Sequence, residues 1–199
     1  MSLRNPTMSR VASPLFTLRA LCACALVATA HAALAQATTD DIVVRAEKAG
    51  ETIRLYVDCP VKAPADVAWQ VLTDFDGMSK FVTNVKRSEV RMRMGNRLRV
   101  YQKGQASRGP LTLDFENVRE IELEPQTVVR SRMIEGNMMP ASFETRIEER
   151  QGMVHILHTG TYTPSMWVPP MVGTALIEAE TRKQYGEIRA EIVRRASGK

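Results

Sequence analysis

Apolar residues between Thr52 and Val61 fall on alternate positions: Ile53, Leu55 and Val57 against Arg54, Tyr56 and Asp58. A two-residue period predicts a half-buried strand. The preceding Gln36–Gly50 reads as a lead-in with a short strand at Ile42–Arg45. After Val61 the period changes. Val67, Val71, Leu72 and Phe75 follow helical spacing, and Pro64 suits a first helical turn because its missing N–H costs little there. Asp66 favours the positive end of that helix. The pattern predicts a helix to about Asp74, a break at Gly77 and a short second helical turn over Met78–Phe81. Asp74 and Asp76 read as helix-end and turn residues rather than paired catalytic acids.

From Val85 to about Tyr162 strand follows strand. Val90, Met92 and Met94 alternate with Arg91 and Arg93, and Leu98, Val100 and Gln102 with Arg97, Arg99 and Tyr101. Leu111, Leu113 and Phe115 share a face. Further strands are expected over Thr127–Ile134, Ser142–Arg150 and Met153–Thr163. Gly95-Asn96, Arg108-Gly109-Pro110, Pro125-Gln126 and Gln151-Gly152 are the turns between them. Short turns join neighbours antiparallel, so the segment is a meander of about six strands. Pro169–Lys199 then returns to helical spacing through Val172, Leu176, Ala179, Ile188 and Ile192, with a polar interruption around Arg182–Gln184.

The order is strand, two short helices, meander, long helix. It specifies an α+β domain with a curved antiparallel sheet of about seven strands packed on one helix. The stretch Ala63–Val85, APADVAWQVLTDFDGMSKFVTNV, carries a family resemblance. It resembles the helix pair after the first strand of the START-like (SRPBCC) superfamily, the helix-grip fold. The polyketide cyclase/dehydrase and coenzyme-Q-binding START-type proteins are the most similar in appearance. The resemblance extends over Thr52–Ala196. It implies a cavity for an apolar ligand between the sheet and the last helix, and brings no catalytic motif with it.

The first 35 residues change the picture of where such a cavity would work. Arg4, Arg10 and Arg19 are the only charges before Asp40. The apolar run Ala20–Ala30 is shorter than the ~20 residues of a spanning helix. Small-x-small sites follow at Ala30-His31-Ala32 and Ala33-Leu34-Ala35. That order is a secretory signal peptide. Cleavage after Ala35 leaves Gln36 first and makes the protein periplasmic or secreted; an uncleaved anchor is the alternative. The expected organisation is a signal peptide over 1–35, a lead-in over 36–51 and the START-like domain over 52–199.

Charge and cysteine content exclude several functions. The chain has net charge +5, from 27 basic and 22 acidic residues. Removing the three signal arginines leaves 24 against 22, a net +2. That balance argues against nucleic acid. Cys59 is the only cysteine after residue 35, so no internal disulfide forms, and it reads as a small apolar filler. No cysteine–histidine cluster has metal spacing, and neither a metal nor a cofactor is expected. No Ser-His-Asp order or phosphate-cradling glycine loop is present.

Candidate ligand contacts follow from the cavity expectation. The chain has 11 methionines, and Met92, Met94, Met133, Met138, Met139, Met166 and Met171 lie on strands, loops or the last helix start. Flexible thioethers suit an irregular apolar cavity, and ordinary core filling is the plainer use. His155 and His158 are three apart on a strand and therefore face opposite ways. Arg130 and Arg132 share a face, and would bind an acidic head group if concave or be solvated if convex. Trp167, in Met166–Met171, lies at the cavity mouth in the resemblance; it would gate the cavity, touch a membrane transiently or cap the core. Trp69 reads as packing. The expected cavity set is Met92, Phe115, Met133, His158, Trp167 and Leu176, with His158 the one weak catalytic candidate.

The leading expectation is periplasmic binding of a lipid or other hydrophobic small molecule without catalysis. A cyclase- or dehydratase-type enzyme using the same cavity is the alternative, and would need a cavity-facing acid or base. A cell-envelope interaction module, docking through Met138–Pro140 and Trp167–Met171, is the third.

Overall fold

The described residues form one eight-stranded antiparallel sheet in the order β1-β2-β8-β7-β6-β5-β4-β3. The structure, a computed structural model, describes residues 39–108, 111–137, 139–164 and 173–198. These residues all belong to one compact unit. The expected signal peptide over 1–35 lies outside them, as does Trp167. The strands are β1 (Val43–Ala49), β2 (Thr52–Val61), β3 (Val85–Met94), β4 (Arg97–Arg108), β5 (Leu111–Glu124), β6 (Val128–Gly136), β7 (Ala141–Arg150) and β8 (Met153–Tyr162). Helix α1 (Ala65–Leu72) and a 3₁₀ turn (Met78–Lys80) follow β2, and α2 (Gly173–Ala196) ends the chain. The α+β helix-grip expectation holds. The lead-in supplies the extra strand: β1 pairs with β2 along its whole length, from Val43 opposite Asp58 to Ala49 opposite Thr52.

Local chemistry explains the elements. Pro64 caps α1 with an extended backbone, and Ala68, Val71 and Leu72 are its buried face. Asp74 Oδ1 accepts from the Gly77 N–H at 3.0 Å, which turns the chain into the 3₁₀ segment. Asp76 Oδ1 accepts from the Val90 N–H at 2.7 Å on the free sheet edge. The expected Gln151-Gly152 turn forms: both residues have positive φ, as a type I′ turn requires, while Gly109-Pro110 lies outside the described residues. The buried face of α2 is Leu176, Tyr185, Ile188, Arg189 and Ile192. Glu178 Oε1 accepts from the Ala46 N–H at 2.9 Å, and the Arg189 guanidinium meets Asp41 at 2.8 Å, so the lead-in is tied to α2.

Two strand glycines shape the inner face. Gly104 faces Phe115 across β4–β5, and Gly160 faces Phe143 across β7–β8. A methyl group on Gly104 would lie 2.0 Å from the Asn84 carbonyl oxygen and 2.4 Å from Phe115 Cζ. Both rings thus lie over bare backbone, a pairing that lets a sheet bend. Gly104→Ala is expected to cost about 2–3 kcal/mol, because Asn84 presents backbone that cannot yield. Thermal melting checks this; an unchanged Tm would refute the close approach.

The main core fills the end nearest α1, with Val57, Cys59, Val71, Val82, Val100, Ile156 and Ile192 fully buried. Burial pushes the Cys59 thiol up to about 12, with Arg189 opposing, so it is an inert filler as expected. A smaller cluster of Ile53, Met133, Ala141 and Tyr162 lies toward the other end.

Candidate functional site

Between the two clusters is a cavity of about 330 Å³. Strand alternation brings Phe115, Asn117, Arg119 and Ile121 of β5 onto its lining, with Ser131 and Met133 of β6, Phe143 and Thr145 of β7, and His158 and Tyr162 of β8. Leu72, Phe75 and Met78 close one side, and α2 covers it with Leu176, Ile177, Glu180, Thr181, Gln184, Tyr185 and Ile188. Of the polar interruption read at Arg182–Gln184, only Gln184 lines the cavity; Arg182 Nε donates to the Ile42 carbonyl oxygen at 3.3 Å and Lys183 is exposed.

Four of the six expected contacts meet here: Phe115, Met133, His158 and Leu176. Met92 does not. It is exposed, in a trough on the outer face of the sheet with Arg97, Glu122 and Arg132. The reason is a bulge. Val90 pairs with the buried Val100, but Met92 pairs with Arg99, whose side chain faces outward. One extra residue at Arg91 reverses the alternation, and Met94 follows Met92 outward at 66% exposure. Trp167 lies outside the described residues, with Met138, Met166 and Met171. Among the described residues the methionines do not gather: Met139 is exposed, and the two on the lining are Met133 and Met78. Arg130 and Arg132 face outward, paired with Glu144 at 2.8 Å and Glu120 at 2.6 Å.

The histidines separate as their spacing required. His155 points outward and lies 2.8 Å from Asp58. His158 points into the cavity, its Nδ1 2.8 Å from Thr145 Oγ1. Phe143 stacks on it at 5.2 Å between ring centroids, and Tyr185 tilts against it at 5.6 Å. Burial, helped by the Arg119 charge, lowers its pKa to about 4, so the ring is neutral at pH 7. Burial drives the Tyr185 phenol well above its ordinary range; Thr145 hydrogen-bonds it too.

The residue that sequence reasoning missed is Arg119. It lies two positions beyond Asn117 on the inner face of β5, and its Nη2 donates to Gln102 Oε1. Gln102 in turn donates to Ser88 Oγ at 3.0 Å and contacts Met78 Sδ at 3.1 Å. Burial lowers the Arg119 pKa to about 10, so it remains a cation at neutral pH. The pattern Phe115-x-Asn117-x-Arg119-x-Ile121 was the available signal. Among the described residues no cluster of His, Cys, Asp and Glu could hold a metal ion.

The sequence profile of the family described as polyketide cyclase/dehydrase and lipid transport matches residues 61–186. The chain belongs to this polyketide cyclase/dehydrase and lipid transport family. No curated protein matches the sequence significantly. Solved structures show the same fold at low identity. The Zhui aromatase/cyclase of Streptomyces is 17% identical, covering 72% of this chain and 95% of its own, with a TM-score of 0.61. A STAR-related lipid transfer protein of Xanthomonas axonopodis is 13% identical, covering 77% and 99%, at 0.59. A START superfamily protein of Mycobacterium smegmatis is 9% identical, covering 71% and 97%, at 0.60. In this family member, then, the helix-grip fold encloses a mainly apolar chamber suited to a hydrophobic ligand.

Proposed function

We propose that this protein is an exported, non-catalytic binder of one hydrophobic small molecule. The observation that carries the reading is the cavity: about 330 Å³ of interior that no side chain of the lining fills. That volume is within the range of small-molecule sites, roughly 300–1,000 Å³. Each methylene of a ligand buried there contributes about 0.8 kcal/mol. The family description and the lipid transfer relative support a lipid-like ligand. The signal-like residues 1–35 support export. The unfilled interior disfavours a mere docking module.

His158 supports binding over catalysis. A general acid or base works best with a pKa near the operating pH. His158 is neutral with a pKa of about 4, clamped by Phe143, Thr145 and Tyr185. It cannot donate a proton as imidazolium at pH 7 and is a weak base there.

The test uses the fluorescent apolar probe N-phenyl-1-naphthylamine, with native mass spectrometry of protein purified from the periplasm of its own cells. The expected result is saturable one-to-one probe uptake and a co-purified apolar small molecule. No uptake and a bare mass would sink the reading.

A further inference from the structure

We propose that the ligand is a monocarboxylic acid: an apolar body in the chamber, with its carboxylate on the Arg119 guanidinium. This deepens the hydrophobic-ligand reading and rests on it. Charge balance inside the chamber points to such a ligand. Among the described residues, Arg119 is the only arginine or lysine on the cavity lining. Its guanidinium donates to a neutral amide, Gln102, and forms no ion pair among the described residues. The residues outside that set include no Asp or Glu, so the rest of the chain offers no carboxylate side chain. Two carboxylates reach the lining: Asp114 is exposed and accepts from Gln105 Nε2 at 2.9 Å, and the half-buried Glu180 of α2 forms no ion pair with Arg119. His158 and Tyr185, the other titratable groups beside Arg119, are both neutral at pH 7.

Arg119 is half-buried with its Nε out of water; withdrawing a cation from water without a counter-charge is costly, and a ligand that brings the charge removes that cost. Unsatisfied polar atoms mark the same place. Asn84 Oδ1, Asn117 Oδ1 and Arg119 Nε are buried, meet no partner among the described residues, and belong to lining residues. Asn117 and Arg119 are two apart on one strand face, and both line the chamber. An arginine fork matches the two oxygens of a carboxylate. One cation balances one negative charge, which favours a carboxylate over a phosphate dianion.

The experiment compares dodecanoate, dodecan-1-ol and methyl dodecanoate as competitors for N-phenyl-1-naphthylamine on the protein expressed from its full reading frame, at pH 7.5. Hydrogen bonds to a charged group contribute about 1.5–3 kcal/mol, so dodecanoate should bind roughly 10–150-fold tighter than the alcohol or ester. Arg119→Met should erase that preference by weakening dodecanoate and leaving the alcohol unchanged. Arg119→Lys keeps the charge, should retain part of the preference, and serves as well if Arg119→Met does not fold. Equal affinity for acid and alcohol in the natural protein would overturn the proposal and leave the apolar chamber standing. So would probe uptake that dodecanoate cannot displace. Failure to take up the probe at all would instead remove the underlying reading.

Discussion

Replacing His158 with Gln will flatten the acid limb of the stability curve between pH 6.5 and about 4, the ordinary and the native pKa of this imidazole. As pH falls through 6.5 the unfolded chain takes up the proton first, while the native state resists until about 4. The contribution of neutral His158 is therefore intact above 6.5 and is lost across that window. At about 1.36 kcal/mol per unit the loss over the whole window comes to a little over 3 kcal/mol. That figure is a ceiling, because one side of the ring opens onto the cavity. Gln can still reach Thr145 but does not titrate. Urea unfolding at pH 7, 6, 5 and 4.5 gives the two curves. Glu191 does not confuse them: Arg194 and then Arg195 hold its carboxyl near 2, so its contribution is lost only below 4.5. Parallel curves for both proteins down to pH 4.5 would show that His158 is not held neutral by the fold.

The arrangement that produces this shift joins residues far apart in the chain. Val57 and Thr145 flank His158 on neighbouring strands, and Tyr185 reaches it from α2. Period and turn chemistry made the strands, their antiparallel order and the last helix legible, because each depends on residues close in sequence. His158 could be placed inward or outward only relative to His155. Met92 failed for a reason of the same kind. Whether Arg91 adds a bulge is decided by the pairing of β3 with β4, which the β3 sequence does not contain. Gly104 and Gly160 were similarly silent until their Phe partners across the strands were known. Arg119 differs. Its position was readable from the alternation of Phe115, Asn117 and Ile121, but an arginine on an apolar face runs against the expectation that charges lie outside. A residue that breaks the local rule marked the chemistry better than the methionines that obeyed it.

Filling the chamber from the sheet side should abolish binding without unfolding the protein. Ser131 is the residue for this. It is buried on the cavity lining, pairs with Ile121 and Phe143 across its two neighbouring strands, and its side chain has no hydrogen-bond partner among the described residues. An indole placed there by Ser131→Trp occupies space a ligand would otherwise use. If it excludes roughly six methylenes of an aliphatic ligand, the lost burial is about 5 kcal/mol, or several thousand-fold in affinity. The strain of adding a large side chain to a packed core is about 1–3 kcal/mol, and an existing cavity places it at the low end. Met92→Trp is the matched control, since it adds the same ring to the outer trough. The expected result is loss of N-phenyl-1-naphthylamine uptake in Ser131→Trp alone, with cooperative melting in both. The reverse pattern would move the ligand to the convex face of the sheet, where Met92 and Met94 are exposed. The two faces share the same strands and differ in which side chains the pleat turns inward, so a single bulky residue on each decides between them.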